Sequence, residues 1–125
     1  MHPQAAALGR AWIAAHIPHQ GAMCLLDSVL DWNPECIRCE ASSHTHADNP
    51  LRANGRLAAV CGIEYAAQAM AAHGAALRQP GQRPRLGYLA SVRKLELHVA
   101  RLDDIAAPLR VEARRISGSE GNILY

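Results

Sequence analysis

Between Leu57 and Leu77 the chain reads LAAVCGIEYAAQAMAAHGAAL, with a single charged side chain, Glu64. A helix over this stretch would be about 30 Å long at 1.5 Å per residue. It is apolar almost all round, which marks a helix buried on most of its sides. Its many alanines, from a total of 24, let neighbouring backbones approach closely. Phenylalanine is absent, so the layer that covers this helix has to be built from Leu, Val, Ile and Ala.

The flanking segments supply that layer in a definite order. Residues 3–15 form a short alanine-rich helical pattern that Ile17-Pro18 ends, because a residue before proline is pushed out of the helical region. Met23–Leu30 is apolar and β-branched and reads as a strand, followed by turn chemistry at Asp31-Trp32-Asn33-Pro34. Cys36–Ser43 alternates as a second strand. A polar loop, His44–Arg56, leads into the long helix over Leu57–Leu77. Gln79–Arg85 is a turn-rich connector, and Leu86–Leu102 alternates as one long strand or a bent pair. Pro108–Ile116 alternates again, Ser117–Asn122 is a turn, and Ile123-Leu124-Tyr125 opens another strand. Strands, one long buried helix, then consecutive strands make an α+β order. A curved antiparallel sheet wrapped around a single central helix satisfies it, as one domain over residues 1–125.

Composition removes several function classes. A net charge of +2 is too small to argue for nucleic acid. No run approaches the roughly 18–20 apolar residues of a membrane span. The N-terminus lacks a basic start, apolar stretch and cleavage pattern, so a cytoplasmic protein is expected. Arg78, Arg83, Arg85, Arg93, Lys94 and Arg101 gather in one stretch, which reads either as a solvated surface or as a docking patch for an acidic partner. Cys36 and Cys39 with His44 and His46 imitate a Cys2His2 set. Strand alternation turns the two cysteines to opposite faces, however, whereas zinc needs four converging ligands. No metal is expected, and Cys24 and Cys61 read as small core residues.

Glu64 is the residue that does not belong in an apolar helix. Burying a carboxylate is unfavourable unless it is paired or protonated. Gln68, one turn on, stands on the same face and can hydrogen-bond it. The residues alone leave two readings open: a carboxylate on a subunit interface or solvated stripe, and an acid–base group. His46 lies in the loop that can fold over the helix start and is the candidate partner. His44 and His19 read as loop-surface residues and His98 as an ordinary strand histidine. His73 is nine residues beyond Glu64, half a rotation away on the helix, and cannot partner it.

The segment Ile17-Pro18-His19-Gln20-Gly21-Ala22-Met23-Cys24-Leu25-Leu26-Asp27-Ser28-Val29 resembles the opening of FabA/FabZ-type 3-hydroxyacyl-[acyl-carrier-protein] dehydratases. Gly62–Ala69 is similar to their central-helix motif. Asn49-Pro50-Leu51, Gly55-Arg56-Leu57, the GIEYAAQAMAAH stretch and Leu95–Val99 resemble more closely the ApeP-like dehydratases of aryl polyene biosynthesis. The resemblance implies a hotdog fold and a homodimer or heterodimer with sites at the interface. It also implies a substrate carried as a thioester on the phosphopantetheine of acyl carrier protein, with no other cofactor. By motif Glu64 takes the place of the family's helix glutamate. The histidine motif of typical members does not carry over: this chain has His46-Ala47-Asp48-Asn49-Pro50-Leu51 there.

The reaction implied is loss of water from a 3-hydroxyacyl thioester in fatty-acid or aryl polyene biosynthesis. It needs a base for the C2 proton, an acid for the departing hydroxyl and donors for the thioester oxygen. The expected roles are His46 as base, Glu64 as acid, backbone N–H groups near Cys61 and Gly62 as oxygen donors, and Gln68 as the group that orients Glu64. Apolar helix residues would line the acyl tunnel. Two other readings stand beside this one: a non-catalytic subunit of a heterodimeric dehydratase, and a hotdog acyl thioesterase working with a helix carboxylate and water. The family pattern also calls for a further strand or two after Pro108–Ile116. The C-terminal strands are therefore expected to be incomplete, through truncation or because a partner supplies them. A closed sheet ending at Tyr125 would count against that.

Overall fold

A computed structural model describes residues 7–19, 21–78, 89, 91–119 and 121–125 of the chain. Its elements in order are α1 (Arg10–His16), β1 (Ser28–Asn33), β2 (Cys36–Ala41), α2 (Gly62–Leu77), β3 (Leu109–Arg114), β4 (Ser117–Gly118) and β5 (Ile123–Leu124), with short 3-10 turns at Gly21–Met23, Ser43–Thr45 and Ala59–Cys61. β1, β2 and β3 form an antiparallel sheet in that spatial order, and β4 pairs with β5 separately. The sheet packs on α2.

Alternation assigns the sheet faces. Ile37, Cys39 and Ala41 of β2 turn to α2, opposite Ala113, Val111 and Leu109 of β3. On β1 the inward residues are Val29 and Trp32, three apart, which simple alternation forbids. A bulge between Val29 and Asp31 takes up the extra residue, so both pair with inward residues of β2, Cys39 and Ile37. The outer face carries Arg38, Glu40, Arg110, Glu112 and Arg114. There Arg38 holds Asp31 in a bidentate pair, one bond being 2.9 Å, and the guanidinium keeps the Asp31 carboxyl below its usual range. On the helix side Tyr65, Ala69 and Ala72 are buried, and the two alanines let the sheet lie close. Cys36 and Cys39 stand on opposite faces of β2. Burial pushes the Cys39 thiol up to about 12 and raises Cys36 as well, so both are kept protonated and inert.

Several boundaries differ from the sequence reading. Residues 3–6 lie outside the described residues, and α1 begins only at Arg10 because Leu8 is drawn into a bridge with Val29. The first strand runs Ser28–Asn33 rather than Met23–Leu30. The turn is confined to Pro34-Glu35, since Asn33 Oδ1 accepts the N–H groups of Glu35 (2.8 Å) and Cys36 (2.9 Å). The long helix starts at Gly62, not Leu57. Leu57 donates its N–H to Asp103 Oδ1 (2.9 Å), and Ala58 bridges Arg101, so these residues are extended by tertiary bonds. The connector expected at Gln79–Arg85 lies outside the described residues, as do residues 86–88 and 90 of the expected strand Leu86–Leu102. Among the described residues, 91–99 form no strand, only Ala100–Leu102 at the end of this stretch bonds to Leu57–Ala59, and Leu95, Leu97 and Val99 are about half exposed. Ser117-Gly118 belongs to β4, and the Ser119 N–H donates to the Asn122 carbonyl (2.9 Å) before β5. Among the described residues the three-stranded sheet is not closed, and no helix is long and apolar enough to cross a membrane.

His73 fixes the far end of α2. Fully buried, it donates from Nε2 to the Asn33 carbonyl (2.7 Å), and Nδ1 accepts the Tyr125 hydroxyl (2.6 Å). Burial lowers its pKa from the ordinary 6.5, so the unfolded chain takes up the proton more readily than the folded one. The stability His73 confers is therefore complete above that value and is lost as pH falls below it. Urea unfolding at about pH 7.5 and about pH 5.5 should show lower stability at the acid value, with a smaller difference in His73→Gln.

Candidate active site

The first turn of α2 lies beside the loop that joins α1 to β1. His19 follows Pro18 in that loop, and its Nε2 stands 3.0 Å from Glu64 Oε1. The two side chains are 27% and 34% exposed, open enough for a ligand to reach and shielded enough for their contact to matter. His19 Nδ1 is buried without a partner, so Nε2 is the ring atom that meets both the carboxylate and any ligand there.

Gln68 holds this arrangement together. It is fully buried, one turn beyond Glu64. Its Oε1 accepts the Leu25 N–H (2.9 Å), and its Nε2 donates to the Met23 carbonyl (2.7 Å) and, at 3.5 Å, to Glu64 Oε1. A buried amide that left these positions empty would be strongly destabilising, so the loop has to sit where its backbone meets them. One side chain thereby orients the carboxylate and fastens the segment that carries the histidine.

The other expected residues lie as follows. His46 is exposed, at the end of the Ser43–Thr45 turn, and forms no ion pair with Glu64. The structure brings His19 to the carboxylate instead. The reason is the Gln68 clamp, which holds Met23 and Leu25 against α2, while the His46 backbone stays with its own turn by donating to Ser43 O (3.1 Å). The Cys61 N–H donates to Ala58 O (2.9 Å) and the Gly62 N–H bonds back to Ala59 O, so the 3-10 turn ahead of α2 occupies the two donors expected to face a thioester oxygen. Cys61 is half-buried, with its thiol toward Leu51 O at 3.9 Å.

Two of the histidines read as surface residues are not. His19 is the partner of Glu64, and no local spacing in the sequence marks it, because the contact depends on the distant Leu25–Gln68 bond. His44 is 1% exposed, and its Nε2 donates to the carbonyls of Ile105 (2.9 Å) and Ala107 (3.1 Å). With Asp103, which is held by Arg101 and by Leu57 N–H, it anchors the segment before β3.

A groove of about 760 Å³ runs along the neighbouring stripe of α2, lined by Ala59 of the turn before it, by Ile63, Ala66 and Met70 of the helix and by Leu95 and Leu97 across from it. Among the described residues no cluster of His, Cys, Asp or Glu has the makings of a metal site.

The antiparallel sheet packed on one long helix is the arrangement of a hotdog fold, the fold of the family this chain matches over residues 11–125, and here it sets a carboxylate beside an imidazole at the helix's opening turn. The chain belongs to the ApeP-like dehydratase family, whose model, described as ApeP dehydratase, matches residues 11–125. Membership supports a dehydratase role in general. No curated protein and no solved structure matches the chain.

The clamp makes a stability claim. Gln68→Ala leaves the buried Leu25 N–H and Met23 carbonyl unpaired and should lower unfolding free energy by about 1–3 kcal/mol, read from urea denaturation. A change within a few tenths of a kcal/mol, the ordinary effect of a surface substitution, would show that the clamp carries no weight.

Proposed function

We propose that this chain removes water from a 3-hydroxyacyl thioester, with His19 and Glu64 as its proton-handling pair. The 3.0 Å contact between them carries the reading. In this scheme the pair holds one proton. Nε2 of His19 takes the C2 proton, and the C2–H electron pair becomes the C2=C3 double bond. The C3–O bond breaks, and the departing hydroxide takes the proton of the Glu64 carboxyl and leaves as water. The imidazolium then returns its proton to Glu64 across the direct contact, so each turnover ends where it began. Gln68 keeps Glu64 turned toward the imidazole. Because the Cys61 and Gly62 N–H groups keep to their own turn, they are not assigned the thioester oxygen.

Family membership and the apolar groove beside Glu64 support an acyl substrate, delivered as a phosphopantetheine thioester by acyl carrier protein in fatty-acid or aryl polyene biosynthesis. Arg93 and Lys94 are exposed at this side and suit an acidic carrier, whereas Arg101 is held by Asp103. Arg83 and Arg85 lie outside the described residues. The reading requires no metal or further cofactor and places the protein in the cytoplasm. The half-exposed row Leu95, Leu97, Val99 favours work as a dimer with a second hotdog chain, identical or not. If that second chain supplied all the chemistry, this one would be a non-catalytic subunit.

A 3-hydroxyacyl carrier-protein thioester is the deciding substrate. His19→Ala and Glu64→Gln should each lower dehydration by about a hundredfold or more, and His46→Ala should change it little. Full activity in His19→Ala together with loss in His46→Ala would return the base to His46. Release of free thiol without loss of water would make the protein a thioesterase, and activity only on adding a second hotdog subunit, unaffected by Glu64→Gln, would make it the non-catalytic one.

A further inference from the structure

Behind the His19–Glu64 contact lies a buried row of polar side chains that no step of the proposed reaction uses. Tyr65, Ser43 and Asn49 are 1%, 6% and 6% exposed. Ser43 Oγ is 2.7 Å from the Leu25 carbonyl and 2.7 Å from the Tyr65 hydroxyl. Asn49 Nδ2 donates to the Tyr65 oxygen (3.1 Å) and to the Ser43 carbonyl (2.9 Å), while its Oδ1 accepts the Leu51 N–H (2.9 Å).

The direction of each bond is forced. A carbonyl only accepts, so Ser43 spends its one proton on Leu25. The Tyr65 hydroxyl must then donate to Ser43, and its oxygen accepts from Asn49. Burial raises the Tyr65 pKa, against the opposing hydrogen bonds of Ser43 and Asn49, which keeps the phenol protonated for this task.

The row ends on the residue that Gln68 already grips. Leu25 is held by its N–H from Gln68 and by its carbonyl from Ser43, and Tyr65 and Gln68 flank one turn of α2 directly after Glu64. His19 lies six residues before Leu25 on the stretch so fastened. We propose that Tyr65, Ser43 and Asn49 are positioning residues that set the His19–Glu64 distance by fixing the Leu25 carbonyl, an inference that rests on reading His19 and Glu64 as the acid–base pair. Displacement of a reacting group by about 1 Å lowers a rate by about a hundredfold, so a bond of this kind can govern turnover while contacting no substrate.

Tyr65→Phe removes one oxygen and keeps the ring. Three readouts on the full chain decide the matter: the melting temperature, kcat and KM per folded molecule with a 3-hydroxyacyl carrier-protein thioester, and the ring-nitrogen NMR signals of His19 through a pH titration. The expected result is a kcat lower by about tenfold or more, KM within about twofold, and a shifted His19 titration. A lower melting temperature with kcat and the His19 titration unchanged would overturn the proposal, because the row would then serve stability alone. Should Tyr65→Phe fail to fold, Ser43→Ala carries the same readouts. Wild-type protein that does not dehydrate, or His19→Ala that still does, sinks the acid–base reading separately. In that event the His19 titration alone decides: a shift in Tyr65→Phe upholds the positioning, and none overturns it.

Discussion

A primary amide buried in an apolar helix has two donors and an acceptor that must all be met, and Gln68 imposes this condition on everything around it. Its partners are backbone groups of Met23 and Leu25, so the loop before β1 cannot lie anywhere but across the first turns of α2. That placement brings His19 to Glu64, buries Leu25 and Leu26 completely, and sets the start of β1 at Ser28. The same amide reaches Glu64. A hydrophobic residue at this position would pack as well but would leave the loop without a reason to choose this path.

The other side of the site depends on bonds of the same kind. Asp103 takes the Leu57 N–H and His44 takes the carbonyls of Ile105 and Ala107, which ties the segment ahead of β3 to both ends of the loop between β2 and α2. The consequence reaches back into secondary structure: Leu57 and Ala58 are pulled out of a helix their sequence favours. Propensity is a weak preference, and a buried carboxylate with a specific N–H partner overrides it.

Much of this could be read in the chain beforehand. The long helix follows from its apolar run, β2 and β3 from their alternation, and Glu64 and Gln68 from being out of place in that helix at a spacing of one turn. The resemblance to ApeP-like dehydratases, carried by the helix and by Asn49-Pro50-Leu51, agrees with the family shown over residues 11–125. What could not be read depends on contacts between distant segments. Choosing His19 over His46 requires knowing that Leu25 meets Gln68, 43 residues away. The extra residue in β1 shows only as register, since alternation has no mark for a bulge. Over 91–99 the alternation is clear, yet a strand needs a neighbour to bond, and among the described residues only the end of the stretch, Ala100–Leu102, finds one, in Leu57–Ala59.

Satisfying one buried amide brings His19 to Glu64, and the proposed chemistry follows from where that forces a loop to lie. The Leu25 amide reports this directly. If Gln68 Oε1 holds it in the dry interior, its hydrogen exchange, followed by NMR at single-residue resolution, should be as slow as that of the β2 amides at Ile37 and Cys39. Exchange at the rate of an exposed loop would mean that the clamp does not form, and the placement of His19 at Glu64 would fall with it.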